Sequence, residues 1–142
     1  EKLYLTIKKL NLKIVESKSY VEKAFFKGIP VEGTNNLQNQ LFGLEINFEK
    51  LNAIDFKKGC YVGQENTARM KLKNKIRRQL MSIKSEKDVK IGDEIKFNDS
   101  IIGKILIDKP YPFALIKLYD PEFTVFKDKK LKIKNNNIKI IS

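Results

Sequence analysis

Beyond residue 79 the sequence breaks into six short apolar runs, each three to seven residues long: Leu80 to Lys84, Glu94 to Phe97, Ile101 to Ile107, Phe113 to Tyr119, Leu131 to Ile133 and Ile138 to Ile141. Runs of this length are too short for core helices but ordinary for strands. Between them, Asn98-Asp99 and Asn135-Asn136-Asn137 supply side chains that tolerate positive φ, which tight hairpin turns require. Alternation within 101–107 and 131–141 gives each strand one face for a core. Short strands joined by turns leave exposed edges unless the sheet closes or stacks, so the pattern predicts a small antiparallel barrel or sandwich. We take a six-stranded barrel over 79–142 as the expectation.

The preceding 78 residues have another texture. Leu3, Ile7 and Leu10 are spaced for a helix, while Leu3, Leu5 and Ile7 alternate as in a strand, and both readings stand. Leu12, Ile14 and Val15 predict a short strand. Ser17 or Ser19 is placed to cap a helix running to about Lys27, where Gly28-Ile29-Pro30 stops it. Residues 31–47, rich in Asn, Gln and Gly, predict an irregular connection, and Phe48, Leu51 and Ile54 predict a helical turn or two. Ala68, Met70 and Leu72 predict a short helix over 66–73 with a basic face, and Lys75 to Arg78 forms a charged hinge. The expected architecture is α+β: an α/β portion over 1–78 followed by the barrel domain.

The chain has no His and one Cys, Cys60. Imidazole-dependent triads, dyads and metal sites are therefore excluded within the chain, as are internal disulfides and four-thiolate sites. A lone thiol fits a reducing compartment, so a cytoplasmic location is expected. No apolar run approaches the roughly 18 residues of a membrane helix, and no signal-peptide pattern is present. Because residue 1 is Glu and not Met, we expect a fragment or a processed product.

The formal charge is +12, unevenly spread: residues 57–78 carry +7 and residues 127–142 carry +5, while the remainder is close to neutral. Lys, Asn and Ile fill 56 of 142 positions, a codon-usage bias that inflates the total without concentrating it. The two patches suit anionic ligands. Residues 62–78 hold no aromatic side chain, and neither do the residues after Phe126. Stacking on bases is therefore unsupported, direct nucleic-acid binding is not expected, and a basic nucleic-acid-binding module that attaches electrostatically is kept as an alternative.

Chemistry concentrates in Lys57-Lys58-Gly59-Cys60-Tyr61-Val62-Gly63-Gln64-Glu65. Two glycines bracket the thiol, allowing sharp turns and close approach of another molecule. The start of a predicted helix and the cations Lys57, Lys58, Arg69 and Lys71 favour thiolate over thiol. Cys60 is then either a reactive thiolate or a small buried hydrophobe. With no His as general base, the thiolate's uses are ligation, redox exchange or gripping a cofactor. Lys58 and Arg69 would lower its pKa and contact anions. Gln64 and Glu65 would orient the site or cap the helix, and Tyr61 would pack or stack.

The run from Lys58 to Glu65, with Ala68-Arg69 after it and Gly28-Ile29-Pro30, Asn36-Leu37 and Asn52-Ala53-Ile54-Asp55-Phe56 before it, resembles the signature of the YgfZ family. The likeness covers roughly residues 20–80. It implies the C-terminal half of a T-protein-like folate-binding fold: three lobes around a hole suited to tetrahydrofolate, closed by a small β-barrel. It implies a factor for iron–sulfur cluster assembly or repair with Cys60 as functional centre, a possible shared ligand of a transient cluster. Lys58, Gly59, Tyr61, Gly63, Gln64, Glu65 and Arg69 would form the binding motif. Implied partners are iron–sulfur carrier and client proteins, tRNA-modifying enzymes among them, and the N-terminal half of the same protein. The implied place is a bacterial cytoplasm, or alternatively the mitochondrial matrix. An aminomethyltransferase-like activity with tetrahydrofolate is the alternative, although the catalytic acid of the T-protein belongs to the other half. Where relatives commonly read Arg-x-Glu-x-Gly ahead of the Ile-Pro pair, this chain has Ala24 and Phe26, without the carboxylate that would grip a pterin.

Overall fold

The computed structural model describes residues 2–59, 62–73 and 76–141, apart from the side chains of Lys2 and Asn36. Among the described residues, four helices, α1 (Lys2–Lys9), α2 (Ser17–Phe26), α3 (Glu65–Leu72) and α4 (Phe123–Phe126), and a 3-10 turn (Thr34–Leu37) accompany six strands. The strands are β1 (Arg78–Ser85), β2 (Glu94–Phe97), β3 (Ser100–Ile107), β4 (Phe113–Lys117), β5 (Leu131–Ile133) and β6 (Asn136–Ile140). They close in the order β1-β4-β3-β2-β5-β6, every pair antiparallel. The expected α+β class and six-stranded barrel are both present.

β1 makes the closure possible by changing partners midway. Arg78 to Ser82 pair with β4, whereas Ile83 to Ser85 pair with β6. The β2–β3 hairpin turns at Asn98 and Asp99, both at positive φ (47° and 64°), the two-residue turn whose twist matches the flanking strands. The last hairpin turns one residue earlier than the asparagine triplet suggests, with Lys134 at φ 52°. That frees Asn136 to enter β6, where its buried side chain donates to Ser85 Oγ (2.8 Å) and the Lys87 carbonyl (3.1 Å) and accepts from the Lys87 amide (3.2 Å). Gly103 lies at a close approach to β4: a Cβ there would lie 2.6 Å from the Leu115 carbonyl oxygen.

The barrel interior is aliphatic, with Ile83, Ile95, Ile102, Ile105, Ile116 and Leu131 almost fully buried. Phe126, from the single turn α4, packs with them against Phe97 and edge-on to Phe123. This turn has no sequence signal, being four residues long. A second apolar layer lies on the opposite face of β1, β3 and β4, where Leu80, Leu106, Phe113 and Leu115 are covered by Phe25, Leu37, Leu41 and Ile46. Phe25 stacks on Tyr111 (4.8 Å between ring centres) and meets Phe113 edge-on (5.6 Å). α2 delivers Phe25 and then stops at Gly28, φ 72°. The Gly28 and Ile29 amides donate back to Phe25 and Ala24, a Schellman cap that glycine alone closes without strain.

A polar clasp completes the cover. Leu80 turns its amide and carbonyl away from β4, at a stretch that β6 does not reach. The amide donates to the Glu45 carbonyl (2.7 Å), and the Leu80 carbonyl accepts from Asn47 Nδ2 (3.2 Å). Gln79 Nε2 donates to Asn47 Oδ1. The buried Glu45 carboxylate receives Arg78 Nε at 2.6 Å and the Phe42 amide at 3.0 Å.

Several local expectations are corrected. α1 settles the ambiguity at 2–10 in favour of a helix. Leu12, Ile14 and Val15 form no strand; they are exposed and have no neighbouring strand to pair with. The stretch from Phe48 to Ile54 is a series of turns and not a helix, since Asn47 and Asn52 adopt positive φ (67° and 54°) and break the helical path. Glu16, not a serine, occupies the N-cap of α2. Among the described residues the portion before β1 therefore holds helices and irregular chain but no strand.

Candidate functional site

The motif segment leaves the turns through an Asp55 side chain that accepts the Lys57 amide (2.8 Å), and it re-enters regular structure at α3. Gly63 adopts φ 91°, a backbone state strained for any L side chain, and its amide donates to Glu65 Oε2 at 3.0 Å. Glu65 is the first residue of α3, so its carboxylate also lies at the electropositive end of the helix. Glu65 and Gly63 thus act as the local brace that sets the entry of α3. Gln64 takes the N-cap position without a side-chain cap hydrogen bond.

α3 presents Gln64, Thr67 and Ala68, spaced i, i+3 and i+4, to a cleft of about 330 Å³. Phe48, Ile54 and Phe56 line it with Lys58 and Gly59. A Cβ built at Gly59 or at Gly63 would meet nothing within 4 Å, and Val62 is fully exposed, so both glycines of the motif border open space. The aromatic lining is not apparent from the motif itself, although Phe48 and Phe56 flank it in the sequence and three-residue apolar spacing marks the segment.

The structure divides the residues grouped by the sequence. Lys58, Gly59 and Gln64 line the cleft, while Gly63 and Glu65 brace it. Arg69 is exposed on α3 and does not line it. Lys71 pairs with Glu49 at 2.6 Å and lies 5.8 Å from the Phe56 ring centre, which commits its charge to the wall. Cys60 and Tyr61 lie outside the described residues. Among the described residues, no cluster of three or more His, Cys, Asp or Glu side chains could hold a metal ion, and no helix is long and apolar enough to cross a membrane.

A larger cleft of about 870 Å³ separates the end of α2 from the barrel loops, with Phe26, Glu32, Gly33, Lys109 and Tyr111 among its lining residues. Ala24 is buried, and Phe26 presents an apolar ring to this cleft, at the positions where the resemblance places a pterin-gripping motif. The residues present there do not fit that role.

A closed six-stranded barrel with a helical cover and a glycine-bracketed cysteine motif defines the class of protein. No family model matches the chain. Over 63 residues it is 40% identical to the mitochondrial iron-sulfur cluster assembly factor IBA57 homolog of Neurospora crassa, covering 44% of this chain and 14% of that protein. It is 36% identical over 107 residues to the tRNA-modifying protein YgfZ of Buchnera aphidicola, covering 68% of this chain and 34% of the relative. The IBA57 homolog of Dictyostelium discoideum is 40% identical over 73 residues, 48% of this chain and 18% of that protein. The chain belongs to the YgfZ/IBA57 family. It spans about a third or less of the length of these relatives.

Proposed function

We propose that this chain is the C-terminal part of an iron–sulfur cluster assembly or repair factor that acts through Cys60. The observation that carries the reading is the glycine-bracketed cysteine motif, in a chain whose relatives are named for iron–sulfur cluster assembly and for tRNA modification. In this reading residues 1–78 are the end of a folate-binding-type domain and residues 79–142 a separate barrel domain. Cys60 supplies one thiolate, and with no His and no second Cys in these 142 residues the other cluster ligands come from outside this stretch, from the rest of the protein or from a carrier or client protein. The cluster is cargo, passed on and not retained. Lys58 and Gln64, which line the neighbouring cleft, and Arg69 on the same helix contact the anionic cargo or its carrier.

Tetrahydrofolate enters only through the resemblance. Ala24 and Phe26 provide no carboxylate for a pterin, so a bound folate would draw that group from outside these residues, and no step is assigned to it. By the resemblance the activity belongs in a bacterial cytoplasm or the mitochondrial matrix; the IBA57 relatives are named as mitochondrial and the YgfZ relative is bacterial.

The test is a rescue. Cells lacking the factor receive the full-length protein with Cys60→Ser or Cys60→Ala, and a four-iron enzyme is assayed under oxidative growth. Activity should fall to that of cells without the factor while the protein level stays unchanged. Rescue equal to the unaltered protein would overturn the thiol-centred reading.

A further inference from the structure

We infer that the uncovered half of the barrel is a binding face for the phosphate backbone of a nucleic acid. The strand register places lysines directly opposite one another twice, Lys96 against Lys132 on β2 and β5, and Lys84 against Lys139 on β1 and β6. All four are exposed. Like charges in directly opposed positions destabilise a sheet. The same arrangement occurs once on the covered side, Arg78 against Lys117, and there the buried Glu45 carboxylate neutralises it at 2.6 Å.

Among the described residues, neither of the two lysine pairs on the uncovered face has an ion-pair partner. Of the nearby carboxylates, Asp93 pairs with Lys134 (2.7 Å), Glu86 accepts from the Asn137 side-chain amide (3.2 Å), and Glu94 stands opposite Lys104 in the β2–β3 register. Lys130 and Lys134 extend the row at the two ends of β5. Together with Lys96 and Lys132 they line a cleft of about 840 Å³ that also holds Asp93, Glu94 and Asp99. An external polyanion would relieve a repulsion that the fold leaves in place.

The chemistry of the face selects among polyanions. Protein interfaces need a desolvated centre of aromatic and aliphatic side chains, with Arg enriched and Lys depleted. Here the cations are all lysines, and the exposed large apolar residues of the barrel (Ile91, Ile101, Tyr119 and Val125) lie outside β5, β6 and the second half of β1. Sequence-independent phosphate binding needs only the charges. Phe97, which lines the cleft, packs on Phe126 and carries Lys129 over its ring at 5.1 Å, so its faces are already engaged. The contact is therefore to backbone and is blind to sequence.

The experiment is a salt titration of the full chain with a fluorescein-labelled oligouridylate, read by anisotropy, with an oligothymidylate of equal length beside it. Replacing Lys84, Lys96, Lys132 and Lys139 with Gln should make the slope of log affinity against log salt shallower by about 3, at about 0.7 for each phosphate no longer neutralised. The same replacement at Lys8, Lys9, Lys13 and Lys18, which are also exposed, should leave the slope nearly unchanged. Thermal unfolding of the barrel variant should show no loss of stability, since two repulsions are removed. An unchanged slope in a folded barrel variant overturns the proposal. So does displacement of the RNA by oligoglutamate at a charge concentration well below that at which unlabelled oligouridylate displaces it, which would assign the face to an acidic protein.

Discussion

β1, β3 and β4 are buried on both faces over most of their length, whereas β2, β5 and β6 bury alternate residues and turn the others to solvent. Both sets belong to one closed sheet with one aliphatic interior. The difference is the chain that precedes the barrel, which lays Phe25, Leu37, Leu41 and Ile46 over one side and leaves the other bare. An outward strand position is thus structural on one side and available for contact on the other. Leu115 and Lys132 both point outward, yet one is core and the other is surface.

The sharpest way to break this comparison is to truncate outward positions on each side. Leu80→Ala, beneath the cover, should cost about 3 kcal/mol in urea unfolding, because the deletion leaves a cavity in a packed layer. Lys132→Ala on the bare side should stay within about 0.5 kcal/mol of the parent. Equal costs would mean that the cover does not pack as described.

The clasp gives an intermediate effect. Arg78→Ala strands the Glu45 carboxylate in a buried site with the Phe42 amide as its remaining donor, and should cost about 2 kcal/mol. The figure lies below that of a fully buried pair because the Arg78 side chain is 42% exposed and partly screened. Glu45→Gln, which retains an acceptor and leaves Arg78 free to hydrate, should cost less. The reverse order in paired denaturation curves would contradict the geometry.

The smallest effect sharpens the bare side. A hydrogen bond from Lys134, then one from the Lys90 amide, hold the Asp93 carboxyl below its usual range. A carboxyl depressed in the folded state stabilises above its unfolded pKa of about 3.9, and that contribution fades as pH falls through the lower folded value. Lys134→Ala should therefore lower Tm slightly near neutral pH, with the gap to the parent closing below about pH 4. A gap independent of pH would remove the ion pair from the account.

Much of the barrel was legible. Hairpin chemistry at Asn98-Asp99 and period-two alternation around Leu131 and Ile138 specify short strands locally, and no distant contact overrides them. The doubly buried strands were legible as strands but not as covered ones, because Phe113-Ala114-Leu115-Ile116 reads the same whatever lies outside it. The clasp was illegible, since Glu45 and Arg78 stand 33 positions apart and only the fold brings them together. For the site, the motif was plain and its glycine requirement is met at Gly63, φ 91°. The aromatic wall from Phe48 and Phe56 was hidden because left-handed asparagines, and not helical spacing, set that path.

The backbone groups of Leu80 find their partners in Glu45 and Asn47 and not in a neighbouring strand. Residues 45–47 consequently act as a sealing strip along a stretch of β1 that β6 does not reach. A barrel expressed without that strip would present a raw hydrogen-bonding edge beside a greasy wall. Self-association would be its characteristic failure, before any loss of the strands themselves.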